Sequence, residues 1–150
     1  MAEKRESRRP VAVITRVETF SACHRLHSKQ LSDEENRRIF SKCNNPNGHG
    51  HNYKLEVSVK GPIDSVTGMV MNVQDLKIII HQVVMDVMDH KHLDQDVPAF
   101  RDSNLVSTTE NLAVVVYEGV SKHLPKHVAL HQVKIHETEK NIVVYNGEYE

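Results

Sequence analysis

Cys43-Asn44-Asn45-Pro46-Asn47-Gly48-His49-Gly50-His51 places a thiol and two imidazoles within nine positions, and it runs directly into Asn52-Tyr53-Lys54-Leu55-Glu56-Val57-Ser58-Val59. Asn-Pro and Asn-Gly pairs disfavour helix and favour turns, so residues 44–48 form a tight loop that lets the thiol approach the imidazoles. Beyond it, Tyr53, Leu55, Val57 and Val59 alternate with polar residues, the pattern of a half-buried strand from Asn52 to Gly61. Residues two apart on a strand share a side, so His49 and His51 present two nitrogens on one face with only Gly50 between them. Two imidazoles suit zinc, copper, nickel or iron better than magnesium or calcium, and a catalytic zinc takes three protein ligands plus an open position. A His-x-His pair also arises by chance in a chain with 11 histidines. The nearby Cys43 strengthens the metal reading, either as a ligand or as a thiolate beside the metal, and the spacing leaves both open.

Upstream, Val11, Val13, Thr15, Val17 and Thr19 alternate against a mixed set in a β-branched run that ends at Ala22, which predicts the first strand. It leads into Cys23-His24-Arg25-Leu26-His27, so a histidine arrives at a strand end, where sites are commonly built. His24 is the candidate third ligand and His27 its competitor. Ser32 with Glu35 makes a capping box for a short helix that delivers the chain to Cys43. Residues 1–10, four of them basic and two acidic with Pro10 at the end, read as a flexible, solvated tail to a single domain over 11–150.

Downstream, Pro62, Asp64 and Gly68 predict a turn with a hairpin-like return over Met69-Val70-Met71. Asn72 with Asp75 caps the strongest helix, in which Leu76, Ile79, Ile80, Val83 and Val87 recur at helical spacing, and Lys77, His81, Gln82 and Asp86 read as its solvated side. This helix reaches Asp89-His90, where an imidazolium complements the negative helix end and, as a second reading, an aspartate charges a proton-handling histidine. Ser107 with Glu110 makes a further capping box, which gives Glu110 a structural role, and the helix behind it is ended by Pro125. Two strands follow, Ala129 to Thr138 and Ile142 to Tyr145, with Glu137 at the end of the first. The order strand, strand, helix, helix, strand, strand is that of an α+β domain, one antiparallel sheet with both helices on one face.

With 150 residues, 39% of them hydrophobic, and a net charge of −1, the chain has no overall field that points to nucleic acid or an anionic membrane. No apolar run approaches the roughly 20 residues that span a bilayer, and the N-terminus lacks a signal-peptide core, which predicts a cytoplasmic protein. Its two cysteines, Cys23 and Cys43, are then expected to be reduced.

The segments FSACHRLHSK, LSDEENRRIF, KCNNPNGHGHNY, GMVMN, DHKHLD, VSTTEN and HETEKNIVVYNGE, spanning about Val11 to Glu148, resemble the 6-pyruvoyl-tetrahydropterin synthase family of animal type in order and spacing. The resemblance implies the tunnelling fold (T-fold), with a four-stranded antiparallel sheet per subunit, trimers that close into a barrel, and two trimers stacked as a homohexamer with sites at subunit interfaces. It further implies one Zn2+ per subunit on His24, His49 and His51, catalytic Cys43, Asp89 and His90, and pterin anchoring by Glu137, with Thr108, Thr109 and Glu110 in a substrate-contacting segment. Two departures stand out: Cys23, where related animal sequences usually carry serine, and an extra residue between Phe100 and Val106.

The implied substrate is 7,8-dihydroneopterin triphosphate, converted to 6-pyruvoyl-tetrahydropterin with elimination of triphosphate in tetrahydrobiopterin biosynthesis. Arg25, Lys29 and Lys42 are the cations nearest in sequence for the triphosphate. One alternative is a 6-carboxy-tetrahydropterin synthase-like activity; there the cysteine typically precedes His-Gly-His by three residues, whereas five intervene here, which favours the pyruvoyl enzyme. The other is a non-catalytic zinc or pterin-binding module.

Overall fold

A computed structural model of the protein describes residues 8–150, so the predicted tail falls, for residues 1–7, outside the described residues. Five strands, β1 (Val11–His24), β2 (His49–Pro62), β3 (Lys91–His92), β4 (Ala129–His136) and β5 (Ile142–Tyr145), form one sheet in the order β3-β1-β2-β4-β5. The long β1–β2 hairpin pairs residue for residue from Val11 opposite Pro62 to His24 opposite His49. The expected four antiparallel strands are all present. The fifth, β3, is two residues long and parallel to β1, so the sheet is not purely antiparallel.

One face of this sheet is the core. Phe20, Tyr53, Leu55, Val57, Val59, Val133 and Ile135 lie on it, buried with Leu76, Ile80, Val84, Leu112, Val116 and Val120 of the helices. Those helical residues belong to α2 (Val73–Ile80), a π-helical stretch (His81–Met85) with α3 (Asp86–Met88) behind it, and the long helix Thr109–Ser121. Both helical runs cover the same face. Gly119 permits their contact, because a Cβ there would lie 2.5 Å from Val83 Cγ1. Val11, Val13 and Val17 of β1 point the other way and are exposed together with Ile142 and Val144 on β5.

Local signals are met with three corrections. Ser32 caps α1 (Asp33–Phe40), accepting from Glu35 N at 3.1 Å, and Asn72 caps α2, accepting from Gln74 N at 2.9 Å. Met69-Val70-Met71 is not a strand: β2 is already flanked by β1 and β4, so Val70 and Met71 anchor the turn in the core instead. Asp64 closes that turn by accepting from Val66 N and Thr67 N, each at 2.8 Å. The helix expected to be capped by Ser107 is capped by Thr108, which accepts from Asn111 N at 3.2 Å, while Ser107 is fully buried. That helix ends at Ser121, with a turn before Pro125. Two short helices, Leu93–Asp96 and Pro98–Arg101, complete the chain between β3 and the Ser107 region.

Candidate functional site

The register of the β1–β2 hairpin builds the histidine cluster. His24 closes β1 opposite His49, which opens β2, and His51 sits opposite Ala22 two residues on, so all three imidazoles share the core face. Their ligating atoms lie within 4.8 Å of one another, with His24 Nε2 at 3.1 Å from His49 Nε2. His24 is 1% exposed, and its Nδ1 donates to Ser107 O at 2.7 Å, which turns Nε2 toward the other rings. Burial lowers the pKa of His24 and of His51, which favours the neutral form in which imidazole binds a metal. His51 Nε2 is buried without a hydrogen-bond partner among the described residues. Three convergent imidazole nitrogens, one of them orphaned, fit a three-imidazole metal site.

A carboxylate adjoins the cluster. Glu137 Oε1 lies 3.8 Å from His51 Nε2, and Glu137 Oε2 accepts a hydrogen bond from Thr109 Oγ1. Glu137, Thr108, Thr109 and Glu110 line one pocket of about 580 Å³, walled also by Leu26 and Phe40. The four sequence-predicted substrate residues therefore meet in one place, with Thr108 and Thr109 already bonded to the chain itself.

Cys43 occupies a 3₁₀ turn, Ser41–Asn44, as a half-buried free thiol, and its carbonyl accepts from Leu26 N at 3.0 Å. Asp89 and His90 form the predicted pair, with Asp89 Oδ2 at 3.0 Å from His90 Nδ1. Asp89 Oδ1 accepts from Ser21 N at 2.9 Å, and this backbone bond, followed by that to His90, lowers the pKa of its carboxyl against burial. The pair sits beside the edge of β1, His90 at φ 61 with its side chain 83% exposed, and no hydrogen bond or ion pair joins it to Cys43 among the described residues. His27, the competitor for the third-ligand position, bonds Asn44 instead. Of the nearby cations, Lys29 Nζ donates to the carbonyls of Phe100, Arg101 and Ser103, and Arg25 is engaged with Asn44.

Two contributors escape sequence reasoning. Ser107 acts through its carbonyl, which every residue has. Tyr53 lies edge-on to His24 and His51, its ring centroid 6.3 and 5.5 Å from theirs, and stacks on Phe20 at 5.0 Å. Burial pushes its hydroxyl pKa far up, and that hydroxyl has no hydrogen-bond partner among the described residues. The signal for it was present, since Tyr53 continues the His49, His51 alternation.

The hairpin ends of this α+β sheet thus hold three imidazoles that could bind a metal ion, beside a pocket lined by Glu137. The model of the 6-pyruvoyl tetrahydropterin synthase family matches residues 13–148. A Poecilia reticulata 6-pyruvoyl tetrahydrobiopterin synthase is 61% identical over 138 residues, covering 92% of each chain. The Homo sapiens protein of that name is 55% identical over 148 residues, 99% of this chain and 100% of its own. The solved structure of Caenorhabditis elegans 6-pyruvoyl tetrahydropterin synthase matches with a TM-score of 0.87 at 45% identity, covering 94% of this chain and 99% of that one. The chain belongs to the 6-pyruvoyl tetrahydropterin synthase family.

Proposed function

We propose that the protein converts 7,8-dihydroneopterin triphosphate to 6-pyruvoyl-tetrahydropterin, eliminating triphosphate, in tetrahydrobiopterin biosynthesis in the cytoplasm. Oxidation of the side-chain hydroxyls to ketones is balanced by reduction of the pterin ring, so the residues must move protons and hold the substrate rather than supply electrons. The observation that carries this reading is the junction of His51 with Glu137 at 3.8 Å, which couples a metal-type cluster to a pocket able to hold a heterocycle.

His24, His49 and His51 would hold one Zn2+, which as a Lewis acid stabilises negative charge developing on the substrate's side chain. Glu137 accepts hydrogen bonds from the amino and ring N–H groups of the pterin, and Thr109 fixes its second oxygen. Thr108 and Glu110 shape the pocket beside it. Cys43 takes the proton from the side-chain carbon, and His90, oriented by Asp89, returns and removes protons.

The Asp89–His90 pair faces solvent beyond the β1 edge, and that edge is unpaired from Val11 to Phe20 among the described residues. An outer sheet face that exposes Val11, Val13, Val17, Ile142 and Val144 beside an open β1 edge supports closure with neighbouring copies into trimeric barrels and a homohexamer, in which one subunit's Asp89–His90 serves another's Cys43. Incubating the metal-loaded protein with the substrate tests the reading by triphosphate release and product chromatography. Substantial acetaldehyde would assign the 6-carboxy-type reaction, and one equivalent bound without release would leave a binding module. Light scattering at the hexamer mass checks the assembly.

A further inference from the structure

The turn that carries Cys43 is fastened to the residues that follow His24. Leu26 N donates to Cys43 O at 3.0 Å. Arg25 Nε donates to Asn44 O at 3.0 Å and Nη2 to Asn44 Oδ1 at 3.4 Å, while Asn44 Nδ2 donates to Leu26 O at 2.7 Å and lies 3.0 Å from His27 Nδ1. Asn44 is 3% exposed, so its own end of these bonds is shielded from water. Behind them, Arg25 N donates to Asp94 Oδ2 at 2.8 Å.

The two ends of the segment are also constrained. Ser41 enters it at φ 54, a conformation that favours glycine. Gly48 leaves it at φ 76, where a Cβ would stand 2.9 Å from His24 O, so only glycine lets the chain pass that close before His49 begins β2. Cys43 thus sits in a short arch resting on the strand ends that carry His24 and His49, with Asn44 as the buried tie.

We propose that Asn44, together with Arg25, is a positioning residue that fixes the Cys43 thiol relative to the His24–His49–His51 cluster. The inference rests on the proposed reading of Cys43 as the proton acceptor. A buried amide bonded through both its oxygen and its nitrogen locks the turn, and a half-broken network of this kind relaxes by moving the backbone it held. Displacement of a reacting group by about 1 Å costs about a hundredfold in rate.

Asn36 supplies an internal control. It is fully buried as well, and its bonds go to Ser28, Leu31 and Ser32, so it ties its own loop and not the cysteine turn. Asn44→Ala and Asn36→Ala are compared as metal-loaded assemblies by kcat, KM, melting temperature and the rate of Cys43 alkylation by iodoacetamide, with peptide mapping to separate Cys43 from Cys23. Both variants lower the melting temperature. Only Asn44→Ala lowers kcat by about a hundredfold at unchanged KM and alters the Cys43 alkylation rate. Arg25→Lys, which keeps the charge but loses the fork, reproduces the kcat loss in smaller measure and decides the matter if Asn44→Ala fails to assemble. Unchanged kcat and alkylation in both Asn44→Ala and Arg25→Lys, or equal changes in Asn36→Ala, overturn the inference. Full activity in Cys43→Ala would overturn the reading of Cys43 and not the tie, which the alkylation rate reports independently.

Discussion

Two polar clusters interrupt the same apolar face of the sheet, one closed on itself and the other left open. In the middle of β1, Arg16 donates to Glu18 Oε1 at 3.0 and 2.8 Å, and His81 from the π-helical stretch brings Nε2 to 3.3 Å of that oxygen. At the end of the same strand, His24, His49 and His51 converge with Glu137 nearby, yet His51 Nε2 has no hydrogen bond among the described residues. Both sets interrupt a face otherwise built from Phe20, Tyr53, Leu55 and Val57. Burial of polar groups is tolerated when they satisfy one another, as around Glu18, and an unsatisfied buried nitrogen calls for a partner from outside the chain. On that criterion the open cluster is the candidate for an outside ligand, and the closed one is satisfied within the chain.

That contrast breaks first at the open end. His49→Ala is expected to lose stoichiometric zinc and all measurable activity while the assembly survives, because three-ligand sites rarely carry a fold held by strand pairing. Metal analysis with light scattering checks it, and retained zinc would remove His49 from the ligand set. Cys43→Ala is expected to keep zinc and substrate affinity and to lose activity by on the order of 10² to 10⁴. Zinc lost along with the thiol would make Cys43 a ligand instead. Glu137→Gln weakens pterin binding by about 2 to 5 kcal/mol, since one acceptor arm becomes a donor facing a donor. Calorimetry with a neopterin analogue measures this, and equal affinities would turn Glu137 into a structural carboxylate.

The open cluster is also the more legible of the two. His49 and His51 announce their shared face through strand period alone, and Tyr53 through Val59 fix that face as buried. His24 follows from its position at a strand end. Periodicity marks β1 as a strand but does not say which side of it the helices cover, and Val11, Val13 and Val17 face outward. For the same reason Arg16 and Glu18 pass unnoticed as the covered side, and His81 reads as solvated helix surface although it meets Glu18. The parallel strand β3 has only two residues, too few for any pattern, and it exists because Asp89 and His90 bond Ser21 at the β1 edge. Thr108 displaces Ser107 as the cap for a tertiary reason, since the Ser107 carbonyl is taken by His24.

The smallest effect sharpens the comparison through pH. Burial holds His24 and His51 below the ordinary value of 6.5, so as pH falls through 6.5 the unfolded chain takes up protons that the folded, metal-free chain refuses, and stability drops. Glu18 titrates in a lower window. Burial pushes its carboxyl up, but hydrogen bonds from Arg16 and His81 and their charges outweigh it and hold it below 4.5. Its contribution is therefore present above 4.5 and is lost as pH falls through the folded value. Glu18→Gln keeps the shape and removes the charge, so it should cost about 1 kcal/mol at neutral pH, the scale of a partly exposed ion pair. Urea midpoints of the metal-free protein at fixed concentration, taken at neutral pH and again in the acid range below 4.5, measure the difference between the parent and Glu18→Gln. The two curves converge in acid if charge is the cause. A gap that persists there would mean that packing around Arg16, and not the closed circuit of charges, makes this cluster structural.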